Sequence, residues 1–208
     1  MITNHTVESL IHFEKEIESV YNEGRIAAPI HLRGGNEQQI IDIFEKEKIR
    51  DQDHCYGTWA FHLESLLKGV PPEELKKAIL DKRSITLCFK KQNIVCSAIV
   101  GSIAAIATGA ALSIKRAGKD ERVFVFLGDM SSFCGTTLEA IRYAQNFKLP
   151  IRFIVSDNEI SVKTPTKEAW GLKDGELEAM LGQFDNVIYY KYKNTYSHSG
   201  TGVRVNFW

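Results

Sequence analysis

The 208-residue sequence holds no CxxC pair and no regular spacing among its four cysteines, Cys55, Cys88, Cys96 and Cys134. That pattern argues against a zinc knuckle or a disulfide framework and predicts reduced thiols in a cytoplasmic protein. Neither charge is in excess. With 26 basic and 26 acidic side chains, nothing draws the chain to nucleic acid or to an acidic surface. The sequence contains no internal repeat and no low-complexity linker. GxGxxG and GxxxxGK[ST] are both missing, which speaks against a nicotinamide dehydrogenase or a nucleoside triphosphatase. The first 18 residues are too charged for a signal peptide. One stretch lacks charge altogether: Ile94–Ile114, 21 residues, long enough to span a bilayer. Only eight of those residues are Ile, Val or Leu and the rest are mostly small, so a helix buried inside an α/β protein is the reading preferred.

At this length the chain is expected to be a single domain over residues 1–208, with residues 187–208 as a C-terminal strand or arm. Val7, Leu10, Ile17, Val20 and Tyr21 recur at helical spacing and predict a helix from about Thr6 to Tyr21, stopped at Gly24. Its Glu14, Lys15, Glu16 and Glu18 read as a solvated face. Asn36 is expected to cap a helix running to about Lys48, with Gln39 placed for a capping box. Pro72, Glu73 and Glu74 suit the first turn of another helix. Lys115, Arg116, Lys119 and Arg122 read as dipole complement and solvated loop, and Lys163 to Glu178 as polar loop. From Val187 a strand places Ile188, Tyr190 and Tyr192 on one face, and Val203, Val205 and Phe207 alternate again. Aromatics at the C-terminus are easier to explain under a partner.

The informative stretch is Arg122 to Pro165. An apolar run, Val123 to Leu127, stops at Gly128-Asp129; a helix over about Thr136 to Phe147 follows; a second run, Ile151 to Val155, stops at Asp157-Asn158. Strand, helix and strand make a βαβ unit, whose strands are parallel. Asp129 and Asn158 then emerge side by side at the edge where open α/β sheets bind ligands. Their oxygens suit a hard cation such as Mg²⁺ bridging to a phosphate.

Gly128, Asp129, Gly135, Glu139, Pro150 and Asn158 fall in register with the thiamine diphosphate motif, Gly-Asp-Gly followed by a spacer and Asn-Asn. The chain resembles the alpha-subunit type of the 2-oxo acid dehydrogenase decarboxylating component. His31, Leu32, Gly35 and Glu37 match a His-Leu-Ser-x-Gly-Gln-Glu loop of that family, and Ala98-Ile99-Val100-Gly101 its Gly-x-Val-Gly turn. His62 matches the histidine of an Arg-x-His element, and Leu67-Lys68-Gly69 the Leu-Lys-Gly after it. Three positions depart. Met130 replaces the last glycine of Gly-Asp-Gly, Asp157 the first asparagine, and Ala60 the arginine that grips the diphosphate bidentately.

The resemblance implies the diphosphate-binding domain of the thiamine diphosphate fold, a three-layer α/β sandwich with a mainly parallel sheet. It implies thiamine diphosphate and Mg²⁺ as cofactors. The metal would be held by Asp129, Asn158 and the carbonyl of Ile160. The cofactor would meet Ala98, Val100, Gly101, Gly128, Asp129, Met130, Ser131 and Asn158, with His31 and His62 as catalytic candidates. A side chain at Met130 is expected to strain a backbone of positive φ, and Asp157 to serve as a turn residue. His198 is read as a loop residue. The implied activity is decarboxylation of a 2-oxo acid and transfer of the acyl or aldehyde unit, together with a beta-type subunit carrying the pyrimidine-binding domain, in a heterotetramer. The N-terminal half of a split transketolase and a non-catalytic assembly or regulatory subunit are the alternatives. Leu-Lys-Gly and His-Leu favour the first reading, Ala60 and Met130 the last.

Overall fold

The computed structural model describes residues 5–196. The strand expected at Val203, Val205 and Phe207, and the loop residue His198, lie outside them. The described chain divides into two compact units. One combines residues up to Asp51 with Trp59–Cys96 and the segment from Lys193; the other combines Gln52–Thr58 with Ser97–Tyr192. In chain order the elements are α1 (Val7–Asn22), α2 (Glu37–Lys46), β1 (His54–Thr58), α3 (His62–Leu67), α4 (Pro72–Leu80), β2 (Cys88–Phe89), β3 (Ile94–Ser97), α5 (Ser102–Arg116) and β4 (Val123–Gly128). There follow α6 (Asp129–Ser132), α7 (Gly135–Asn146), β5 (Ile151–Asp157), β6 (Ile160–Ser161), β7 (Thr164–Pro165), α8 (Thr166–Trp170), α9 (Glu176–Leu181) and β8 (Val187–Lys191).

The second unit is the α/β layer that the sequence pattern predicts. β1, β4, β5 and β8 pair in that order, all parallel. Val123–Leu127 is buried residue by residue, which is why β4 reads as a continuous apolar run and not as an alternation. Helix α5 turns Ile103, Ala104, Ala107, Ala111 and Ile114 inward and leaves Ile106 exposed. Its uncharged sequence thus reflects one buried face and one face of small and apolar residues. No helix among the described residues is long and apolar enough to cross a membrane.

The basic cluster is not all solvated. Arg122 pairs with the fully buried carboxylate of Asp53 at 2.8 Å and lies over the Phe124 ring at 5.1 Å. Lys115 donates to the Phe147 carbonyl at 2.5 Å, beyond the end of α7. The stretch expected as polar loop holds a hairpin end and two short helices, α8 and α9. Elements of five or six residues show too little of a 3.6-residue period to be read from pattern.

In the first unit, Thr6 caps α1 through a capping box with Ser9, and Gly24 ends the segment at φ +74°. The inward face comprises Leu10, Phe13, Glu14, Ile17, Val20 and Tyr21, so Glu14 is buried where a solvated residue was expected. At α2, Asn36 occupies the cap position but makes no side-chain capping bond; Glu37 accepts the Gly35 N–H at 2.8 Å, and no capping box forms with Gln39.

The loop carrying His31 is braced by the segment after β8, because Thr195 N–H donates to the Gly34 carbonyl at 3.0 Å. Both glycines there are closely packed, and Gly35 is the one its backbone requires. A Cβ on Gly34 would lie 2.1 Å from Thr195 Oγ1, and one on Gly35, at φ +93°, 2.3 Å from the Lys193 carbonyl oxygen. Gly35→Ala therefore combines a left-handed backbone with a backbone clash and is expected to cost about 2–4 kcal/mol. Urea unfolding of the variant checks it, and a loss under about 1 kcal/mol would contradict the brace.

Candidate functional site at the ends of strands four and five

Gly128 pairs with Ser156 across β4 and β5. The chain continues into Asp129 on one strand and into Asp157-Asn158 on the other, so all three leave the sheet at one edge. Gly128 has φ −86°, and a Cβ built there meets nothing within 4 Å. Neither backbone conformation nor internal packing demands glycine, and the strand end opens onto free space. A ligand can approach its backbone there.

Asp129 is 2 % exposed. Its Oδ2 accepts the hydroxyl of Thr166, and the Met130 N–H also bonds the carboxylate. Burial pushes its pKa up to about 6, partly offset by the Thr166 bond and reinforced by the neighbouring charge of Asp157. No lysine or arginine is among the groups that set this acidity. Asp157, expected as a turn residue, is the last residue of β5 and pairs with Lys191, and its Oδ1 accepts the Glu159 N–H of the following turn at 2.8 Å. Its Oδ2 is taken by the Tyr189 hydroxyl, whose own pKa is driven up by burial and by that carboxylate. Asn158 Oδ1 lies 3.4 Å from the Ile160 N–H.

Asp129 has no cationic side chain among its electrostatic partners, whereas Asp157 has Lys191, so the buried charge left for a divalent ion to neutralise is that of Asp129. No group of three or more His, Cys, Asp or Glu able to hold a metal occurs among the described residues. A zinc-type site is thereby disfavoured there. One carboxylate with amide and carbonyl oxygens fits Mg²⁺, which keeps positions for water and phosphate.

Met130 does not bear the strain expected of it. It sits in the right-handed turn of α6, outside the positive-φ residues, so its side chain costs the backbone nothing. Its sulfur lies 2.9 Å from Trp170 Nε1, and the Trp170 ring stacks on Phe133 at 5.5 Å and 15°. Strain is found further on. Glu159 has φ +64° and Val162 φ +57°, the latter in the turn of the β6–β7 hairpin. A β-branched residue in the left-handed region is unfavourable. Val162→Asn is expected to stabilise the protein by about 1 kcal/mol, seen as a higher melting temperature; a fall would place a packing role on the valine, which is 48 % exposed.

Ala98 to Gly101 forms a tight turn before α5. The Ile99 N–H donates to Ser97 Oγ at 3.1 Å, and Ser102 Oγ donates to the Ile99 carbonyl at 2.9 Å. Ile99 and Val100 are exposed. Gly101 has φ +81°, and a Cβ there would lie 2.8 Å from Cys134 Cβ, so the position needs glycine on both counts.

The histidine candidates lie in the other unit. His31 is buried, edge-on to Trp59 at 4.6 Å and 86°. His62 is 2 % exposed; its Nδ1 meets Glu14 Oε1 at 3.0 Å and its Nε2 meets Ser84 Oγ at 2.9 Å. Both ring nitrogens are engaged with protein, so His62 has none left for a substrate. These contacts favour a structural role for His62 over the catalytic one expected. Two residues away, Ala60 supplies no guanidinium. Among the described residues, the buried guanidinium of this unit is Arg33, paired with the buried carboxylate of Glu64. Burial pushes the Cys96 thiol up to about 12, which keeps it protonated and unreactive at neutral pH.

A model of the family described as dehydrogenase E1 component matches residues 5–175. The chain belongs to the dehydrogenase E1 component family. It is 29% identical over 162 residues to the alpha subunit of acetoin:2,6-dichlorophenolindophenol oxidoreductase from Cupriavidus necator, covering 73% of this chain and 48% of that one. It is 26% identical over 216 residues to the alpha subunit of the pyruvate dehydrogenase E1 component of Rickettsia typhi, covering 95% and 64%. The chloroplastic pyruvate dehydrogenase E1 component subunit alpha-3 of Arabidopsis thaliana matches at 26% over 162 residues, covering 70% and 37%. The E1-family chain thus spans less than two-thirds of the length of these curated relatives.

Within this E1 chain, three side chains at the sheet edge escape sequence reasoning: Thr166, Trp170 and Tyr189. The first two sit in the stretch read as loop, and the third in a strand read only for its alternation. Nothing local marks any of them as a partner of Asp129, Met130 or Asp157.

Proposed function

We propose that the chain is the alpha-type subunit of a two-component thiamine diphosphate and Mg²⁺-dependent enzyme that decarboxylates a 2-oxo acid and passes on the acyl or aldehyde unit. The observation that carries this reading is the buried, cation-seeking carboxylate of Asp129 at a glycine-opened strand end, beside Asp157-Asn158. Family membership and the alpha-subunit names of the relatives support it.

In this reading Asp129, Asn158 and the carbonyl of Ile160 would hold the metal, and backbone N–H groups around Met130 and Ser131 would meet the diphosphate. The bound cofactor supplies carbanion stabilisation for decarboxylation. The chain's own residues bind and orient. Glycine at 128 keeps the backbone approachable, the turn Ala98–Gly101 presents backbone groups and the exposed Val100, and Tyr189 and Thr166 hold the two carboxylates. His31 is the remaining candidate for holding or moving a proton. Exposed Ile99, Val100, Ile106 and Trp170 support cover by a partner, which we take to be a beta-type subunit in the cytoplasm.

Calorimetry with thiamine diphosphate and Mg²⁺, with and without the partner subunit, tests the reading. Metal-dependent binding is expected. Its absence in both settings would leave a non-catalytic assembly subunit, and turnover of ketose phosphates in place of 2-oxo acids would favour a split transketolase.

A further inference from the structure

The last side chains of the metal edge to be explained are those of α8. Thr166 and Trp170 stand four residues apart, on one helix face. They reach two consecutive residues of α6: the Thr166 hydroxyl donates to Asp129 Oδ2, and the Trp170 ring N–H to Met130 Sδ at 2.9 Å. Thr166 is 2 % exposed, so its hydroxyl is committed to this contact and not shared with bulk water. Trp170 also stacks on Phe133, one residue beyond α6. Helix α8 therefore holds the α6 turn at both ends.

We infer that Thr166 is a positioning residue for the divalent-cation site. Its hydroxyl fixes the rotamer of the Asp129 carboxylate, and Trp170 anchors α8 so that the hydroxyl stays in place. This inference rests on the metal site assigned under Proposed function. The charge of Asp157 bears on Asp129, and like charges repel, so without a cation each carboxylate would be driven from the other. Each is instead restrained by one hydroxyl, Asp129 by Thr166 and Asp157 by Tyr189. A carboxylate has about four lone-pair sites, so a hydroxyl donor occupies one and leaves others for the ion. Such outer contacts orient the ligand before the ion arrives, and their loss typically weakens metal affinity about 10–100-fold.

The test uses the full-length chain with Mn²⁺ alone as the spectroscopic stand-in for Mg²⁺, read by electron paramagnetic resonance and by calorimetry. Thermal unfolding in chelator serves as the folding control. Thr166→Val, which keeps shape and removes the donor, is expected to weaken Mn²⁺ binding about tenfold or more. Thr166→Ser, which restores the donor, is expected to bind within about threefold of wild type. Thr166→Ala replaces the valine variant if that one does not fold. Valine or alanine variants that bind Mn²⁺ as wild type does would overturn the inference while leaving the metal site standing. A serine variant as weak as the valine one would overturn it too, since packing and not the hydroxyl would then matter. Wild-type protein silent to Mn²⁺ both alone and with thiamine diphosphate present would remove the metal site and this inference with it.

Discussion

Alanine at position 62 is expected to cost the protein about 3–5 kcal/mol of stability, enough to unfold much of a marginal domain. The cause is the carboxylate left behind. Glu14 is 1 % exposed, its Oε2 already lacks a partner, and its Oε1 depends on His62 Nδ1. Removing the imidazole leaves a buried acid with nothing to satisfy it and strips Ser84 of its partner as well. Replacing both ends, Glu14→Leu with His62→Leu, should recover most of the loss, because two apolar groups of similar volume carry no desolvation debt. Ser84→Ala should cost only about 1 kcal/mol. Urea unfolding of the four proteins separates this from a catalytic role. A His62→Ala protein as stable as wild type but inactive would restore the histidine to the chemistry.

The same pair shows what a sequence discloses and what it withholds. Glu14 lies four residues after Leu10 and three before Ile17, squarely on the apolar face of α1, so its inward position follows from helical geometry alone. What could not be seen is the reason it is tolerated there. The partner lies 48 residues away, in a different helix. The βαβ unit was legible because its evidence is local: two apolar runs, a helical stretch, and turn residues at both strand ends. Its ends fall within two residues of expectation, at Gly128 and Asp157. The hydroxyls that hold Asp129 and Asp157 come from 37 and 32 residues further along, through α8 and β8. Pattern reading names a ligand more easily than what orients it. Met130 teaches the converse: the strain expected there was borrowed from a glycine in other sequences, whereas the backbone in this one turns right-handed and meets Trp170.

Asparagine at position 129 is expected to make the metal-free protein more stable at neutral pH and deaf to magnesium. Wild-type Asp129 keeps its proton in the folded state to about pH 6, against an ordinary value of 3.8. An acid whose folded pKa is raised stabilises the fold while protonated. Its contribution is full below about pH 4 and is lost as pH rises through about 6, a total on the order of 3 kcal/mol. Without metal, wild-type stability should therefore fall across that window, and Asp129→Asn, which cannot ionise, should not show the fall. The amide oxygen can still accept from Thr166, so the fold keeps that contact. Divalent ion binding requires the ionised carboxylate, so Mg²⁺ should raise the wild-type melting temperature at pH 7 and lose its effect below about pH 6. The variant should show no Mg²⁺ response at any pH. A variant that melts below wild type in chelator at pH 7, or that still gains stability from Mg²⁺, would mean that Asp129 does not hold the cation proposed for this edge.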